Sequence, residues 1–122
     1  MLKNKDIKII GHRGAAGIIA ENSIESILTA INLGVDCIEI DVWKTTDNEI
    51  IVFHDAYLDR LTSMVGFVNQ MDYSTIKKAK LKNNEHIPTL KEVIKIVKEK
   101  RIQLLIEVKS EDALELSVKI LL

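Results

Sequence analysis

Ile38-Glu39-Ile40-Asp41-Val42 reads as a strand from its branched aliphatic residues, yet it carries two acids where a buried strand normally carries none. Side chains two apart on a strand share a face, so Glu39 and Asp41 project together while Ile38, Ile40 and Val42 point the other way. Two adjacent carboxylates on an apolar strand repel each other and lose hydration, at a cost of several kcal/mol unless a cation or hydrogen-bond donors offset it. A hard divalent cation is the simplest compensation, and the polar side of a solvated edge strand is the other reading of the pentapeptide.

Upstream, Lys8-Ile9-Ile10 opens a short strand that stops at Gly11, leaving His12-Arg13-Gly14 in a loop. Asn22 or Ser23 caps the next helix, with Glu25 in capping-box position behind Asn22 and Ile24, Ile27, Leu28 and Ile31 as its apolar stripe. Gly34 ends that helix, and the central strand runs from Val35 to about Lys44. Strand, helix and strand form a βαβ unit with parallel pairing and a right-handed crossover.

Downstream, Asp47-Asn48 marks a two-residue hairpin into Ile50-Ile51-Val52-Phe53, with Asn48 taking the positive φ. In that register Thr46 faces Glu49, Val42 faces Phe53 and Asp41 faces His54, and a bulge would shift the pairing by one residue. Residues 55 to 86 lack periodicity apart from a short helix near Ser74–Ala79, and read as an irregular insertion. Thr89 and Glu92 then form a capping box on a helix with Leu90, Val93, Ile94 and Val97 as its stripe and a basic end. Ile102–Val108 is the next strand, with Glu107 and Lys109 on one face. Ser110 caps a last helix with Leu114, Val118 and Leu121 on one face and no stop signal before Leu122.

A chain of 122 residues, 47% hydrophobic, supports one core and not two full domains. The net charge of −1, with Lys and Glu interspersed, offers no basic stripe for nucleic acid. Met1–Ile10 has no apolar leader region, and no later run reaches membrane-span length, so a soluble, cytoplasmic protein is expected. Cys37, the only cysteine, is expected to be a small buried side chain without chemistry. His86 is expected in solvent, and Trp43 as packing or pocket wall.

The polar residues therefore gather at strand ends, where α/β enzymes place their sites. At this point the sequence resembles the glycerophosphodiester phosphodiesterase family. Gly-His-Arg-Gly (11–14), Glu-Asn-Ser (21–23), Gly34 to Val42, Val-Phe-His-Asp (52–55), Leu-Asp-Arg (58–60), Ile-Pro-Thr-Leu (87–90) and Ile-Glu-Val-Lys (106–109) carry the resemblance. Ala20, Asn48, Leu61 and Met64 depart from the family pattern without removing a proposed ligand. The resemblance implies an α/β fold, the N-terminal portion of a (β/α)8 TIM barrel. About three barrel strands would be present, with the small insertion at about 55–86, in a single truncated domain spanning residues 1–122. It further implies that Glu39, Asp41 and Glu107 hold one divalent cation, Mg²⁺ or Ca²⁺, and that Arg13 and Lys109 contact the phosphate of a glycerophosphodiester substrate. His12 and His54 are the implied acid–base pair. Glycerol 3-phosphate and an alcohol would be the products. Three parallel strands make a narrow sheet, so a homo-oligomer or a missing C-terminal half is expected to complete it. The rival expectation is an inactive fragment or interaction module that needs a partner chain.

Overall fold

The computed structural model describes residues 6–122, so most of the leader-region reading, on residues 1–5, lies outside the described residues. In chain order the elements are β1 (Ile10–His12), α1 (Ile24–Asn32), β2 (Cys37–Lys44), β3 (Ile50–Val52), a 3₁₀ turn (Val68–Gln70), α2 (Tyr73–Ile76), α3 (Leu90–Lys100), β4 (Gln103–Val108) and α4 (Glu111–Leu121). Strand β2 is the centre of the sheet. Parallel β1 occupies one edge at Cys37–Glu39, and parallel β4 runs along the other edge from Cys37 to Val42. Where β1 ends, antiparallel β3 takes over its edge, pairing Val42 with Val52 and Lys44 with Ile50. The result is an open α/β sheet that corresponds to the front of a (β/α)8 barrel and is not closed.

Register decides which side chains meet. Parallel partners share a face, so the pairs His12↔Glu39 and Asp41↔Glu107 put all four side chains on one side of the sheet. The opposite face carries Ile38, Ile40 and Val42, which pack with Ile27, Ala30, Leu90, Val93, Val97 and Ala113 in the helix-covered core. At the C-terminal end of β2 the first face is covered too: Ile51 and Phe53 join Leu58, Leu61, Val68, Ile76, Ala79, Leu81 and Ile87 in a second cluster, with Trp43 against it. Residues 55–86, aperiodic in sequence, thus build their own apolar core over the end of the strand that bears the acids. Cys37 is buried, as its apolar neighbours require.

Four expectations are corrected. First, β1 begins at Ile10 and includes Gly11 and His12, so His12 ends a strand and does not open a loop. Second, the hairpin loop holds three residues, Thr46–Asn48. Thr45 N–H donates to the Glu49 carbonyl at 2.9 Å, and the Thr45 hydroxyl accepts from Glu49 N–H at 3.0 Å. Asn48 takes φ 63°, the left-handed residue such a loop needs. Pairing moves by one residue, and it is Phe53 whose N–H donates to the Asp41 carbonyl, at 2.9 Å. Third, α4 packs through Ala113, Leu116, Ser117 and Ile120. Leu114, Val118 and Leu121 are exposed. Fourth, His86 is partly buried, with Nε2 3.0 Å from the Glu92 carboxylate.

Local capping follows the sequence in α1 and α3 but not in α4, where the Ser110 side chain makes no capping hydrogen bond and its hydroxyl meets the Asp112 carboxylate. Ser23 caps α1, accepting from Ser26 N–H, and both halves of the Thr89/Glu92 capping box form on α3. The turn after β1 is held more tightly. Gly14 sits at φ +81°, and a Cβ there would lie 2.5 Å from Ser26 Oγ and 2.8 Å from the Ser26 carbonyl carbon. Gly14→Ala should therefore destabilise the fold by at least ~1 to 3 kcal/mol from backbone strain, with the clash added. Equilibrium urea unfolding measures this; a variant with an unchanged midpoint would show that the turn relaxes freely.

Candidate active site

The acids predicted from strand alternation converge. One carboxylate oxygen each from Glu39, Asp41 and Glu107 lie within 4.8 Å of one another, close enough to share a cation. Asp41 is fully buried, and Glu107 is about half exposed, at 55% of its side chain. Burial, then the neighbouring Asp41 charge, raises the Glu39 pKa. Burial raises that of Asp41 as well, against the opposing hydrogen bond from Asn22. Interaction with Asp41, and then with the Lys109 ammonium, lowers that of Glu107.

Two basic side chains flank this centre. Arg13 Nε lies 3.4 Å from Asp41 Oδ2, while Lys109 Nζ lies 3.6 Å from Asp41 Oδ1 and 3.1 Å from Glu107 Oε1. Arg13 adopts φ 53°, a strained left-handed conformation that sets its side chain over the strand ends. Its carbonyl is fixed by Asn22 N–H at 2.9 Å and the Ser26 hydroxyl at 3.1 Å. Glu39 Oε1 and Asp41 Oδ1 are buried with no hydrogen-bond partner. Orphaned carboxylate oxygens are costly, and a hard cation held by oxygen ligands satisfies them, so these residues fit Mg²⁺ or Ca²⁺.

The two histidines approach from different strands. His12, exposed at the end of β1, acts electrostatically on Glu39. His54 follows β3, one position beyond the residue paired with Asp41, yet remains within electrostatic reach of Asp41 and Glu107. The structure thus brings His54 near the acids by a register other than the expected one. Its carbonyl accepts from Trp43 Nε1 at 3.0 Å, so Trp43 is a wall that also anchors the backbone of His54.

Sequence reasoning missed four polar residues here. Asn22 Nδ2 donates to buried Asp41 Oδ2 at 3.1 Å. Asp55 Oδ1 lies 2.8 Å from His54 Nδ1. Glu21 and Arg60 make ion pairs with Arg13 and Asp55, respectively, and with each other. The Glu-Asn-Ser and Leu-Asp-Arg motifs contain three of the four, but no periodicity marks which acid meets which base across a loop.

The model of the glycerophosphoryl diester phosphodiesterase family matches residues 12–119. The chain belongs to that family. Among its relatives, the glycerophosphodiester phosphodiesterase of Caldanaerobacter subterraneus subsp. tengcongensis is 39% identical over 109 residues, covering 84% of this chain and 45% of that protein. The fold also matches an Oleispira antarctica phosphodiesterase solved with the product sn-glycerol-3-phosphate, at 30% identity and TM-score 0.86, covering 94% of this chain and 51% of that one. A Thermotoga maritima glycerophosphodiester phosphodiesterase gives 30% identity and TM-score 0.83, over 93% of this chain and 49% of that one. The chain spans about half the length of these family members. No helix among the described residues is long and apolar enough to cross a membrane.

Proposed function

We propose that this site hydrolyses glycerophosphodiesters to glycerol 3-phosphate and an alcohol, with a divalent cation and a histidine acid–base pair. The observation that carries the reading is the set of three carboxylates within 4.8 Å, bordered by Arg13 and Lys109. Glu39, Asp41 and Glu107 would hold the cation, which when bound supplies positive charge against the phosphoryl oxygens. Arg13 and Lys109 bind the remaining phosphate oxygens, and their charge is best placed where negative charge develops. His12 takes the proton from the substrate hydroxyl next to the phosphoester as that oxygen attacks phosphorus. His54 delivers its proton to the departing alkoxide, so one histidine ends protonated and the other neutral. Water then opens the cyclic phosphate: His54 recovers a proton from the water and His12 returns its own to the hydroxyl, which restores both.

An exposed Leu105 on the face that carries Glu39, with the outward Leu114, Val118 and Leu121, favours a second reading. In it, the residues described here become active only when a second copy or further barrel strands cover those surfaces. Glycerophosphocholine hydrolysis, followed as glycerol 3-phosphate release with Mg²⁺ or Ca²⁺ and then with chelator, tests both readings beside light scattering. The primary reading expects chelator-sensitive release. Absence of release from a monomer with bound cation supports the second, and release that chelator leaves untouched removes the cation from the reaction.

A further inference from the structure

One polar residue of the insertion is half exposed and yet fully engaged. Arg60 donates from Nε to Asp55 Oδ2 at 2.8 Å, from Nη2 to Asp55 Oδ1 at 2.9 Å and from Nη1 to Glu21 Oε1 at 3.1 Å. A paired fork on one carboxylate with the remaining nitrogen on a second uses the planar geometry that Arg has and Lys lacks. Each acid goes on to a side chain of the site. Asp55 Oδ1 meets His54 Nδ1 at 2.8 Å, and Glu21 Oε2 accepts from Arg13 Nη1 at 2.9 Å. Glu21 is only 11% exposed, so this link is shielded from solvent.

We propose that Arg60 is a positioning residue that clamps the loops of His54 and Arg13 together, fixing the imidazole through Asp55 and the guanidinium through Glu21. This inference rests on His54 and Arg13 acting as described under the proposed function. Arg60 first, and His54 after it, holds the Asp55 carboxyl at about 2, so Asp55 is an anion with oxygens that only accept. His54 must then carry its proton on Nδ1, which leaves Nε2 for exchange with substrate. Arg13 gains a similar restraint. Its Nη1 is held by Glu21 while Nε faces Asp41, so the guanidinium plane is set before any anion arrives.

The clamp divides into two arms that can be cut separately. In the 122-residue chain, ¹⁵N NMR of the imidazoles reads the His54 tautomer, and titration with inorganic phosphate reads Arg13. Arg60→Met should convert the single Nδ1–H tautomer of His54 into a mixture and weaken phosphate about 10 to 100-fold. Where turnover is present, kcat should fall by a similar factor and KM should rise. Arg60→Lys should recover only part of each effect, because one ammonium cannot meet both carboxylates. Asp55→Asn should disturb the tautomer alone, and Glu21→Gln phosphate binding alone; these two decide the matter even if Arg60→Met does not fold. Complete rescue by Lys, or single cuts that move both readouts together, would mean that Arg60 merely stabilises the fold and would overturn the clamp. Lack of turnover in the unaltered chain counts against the proposed function and leaves the tautomer and phosphate results to judge the clamp by themselves.

Discussion

Asp41→Asn should abolish most cation-linked stabilisation while leaving the cation-free protein as stable as before, or more so. Without a cation Asp41 is a buried acid whose pKa is raised by its burial and whose Oδ1 has no hydrogen-bond partner. Asparagine is nearly isosteric and uncharged: its oxygen can still accept from Asn22, no charge is left to desolvate, and repulsion with Glu39 disappears. On the proposed function, a bound cation would favour the charged carboxylate instead. A cation at 100 times its dissociation constant stabilises the unaltered protein by about 2.7 kcal/mol. Loss of one anionic ligand, if it weakens binding on the order of 100-fold, leaves about 0.4 kcal/mol at the same concentration. Urea unfolding in chelator and in saturating Mg²⁺ or Ca²⁺ measures both quantities. Equal gains for the two proteins would exclude Asp41 from the cation site, and a large loss in chelator would mean that its pairs with Arg13 and Lys109 matter more than its burial.

The same balance explains which features could be read from the sequence. Strand alternation suffices to put Glu39 and Asp41 on one face, and parallel pairing carries Glu107 to them because β4 lies beside β2 along its length. Helix starts were legible for a similar local reason, since Thr89 and Glu92 lie three positions apart and satisfy each other. Hairpin register was harder. It depends on the Thr45 hydroxyl bridging the loop and on Asn48 accepting φ 63°, which favours three loop residues over two. In α4 the apolar residues spread over about half of the helix circumference, so Leu114, Val118 and Leu121 looked as well placed for the core as the Ala113 and Leu116 side that packs. The polar clamp has no local signature at all: Arg60 and Glu21 are 39 positions apart, and only the folded loops bring them together.

His54→Ala should lower kcat by about 10² to 10⁴-fold, the range for loss of a general acid. Folding gives no competing explanation, because the Trp43 hydrogen bond goes to the backbone carbonyl of residue 54 and survives removal of the ring. Arg60 also keeps its fork on Asp55 without the imidazole, so the loop retains its main restraint. On the proposed mechanism, what disappears is the proton for the leaving oxygen. An alkoxide from choline or ethanolamine is a poor leaving group and needs that proton, whereas a nitrophenolate departs without it. The loss should therefore be large with glycerophosphocholine and much smaller with a nitrophenyl ester of glycerol phosphate, when both are assayed with the same cation. Equal losses on the two substrates would mean that His54 contributes to the attack or to phosphate binding, and the role of proton donor would have to pass to His12.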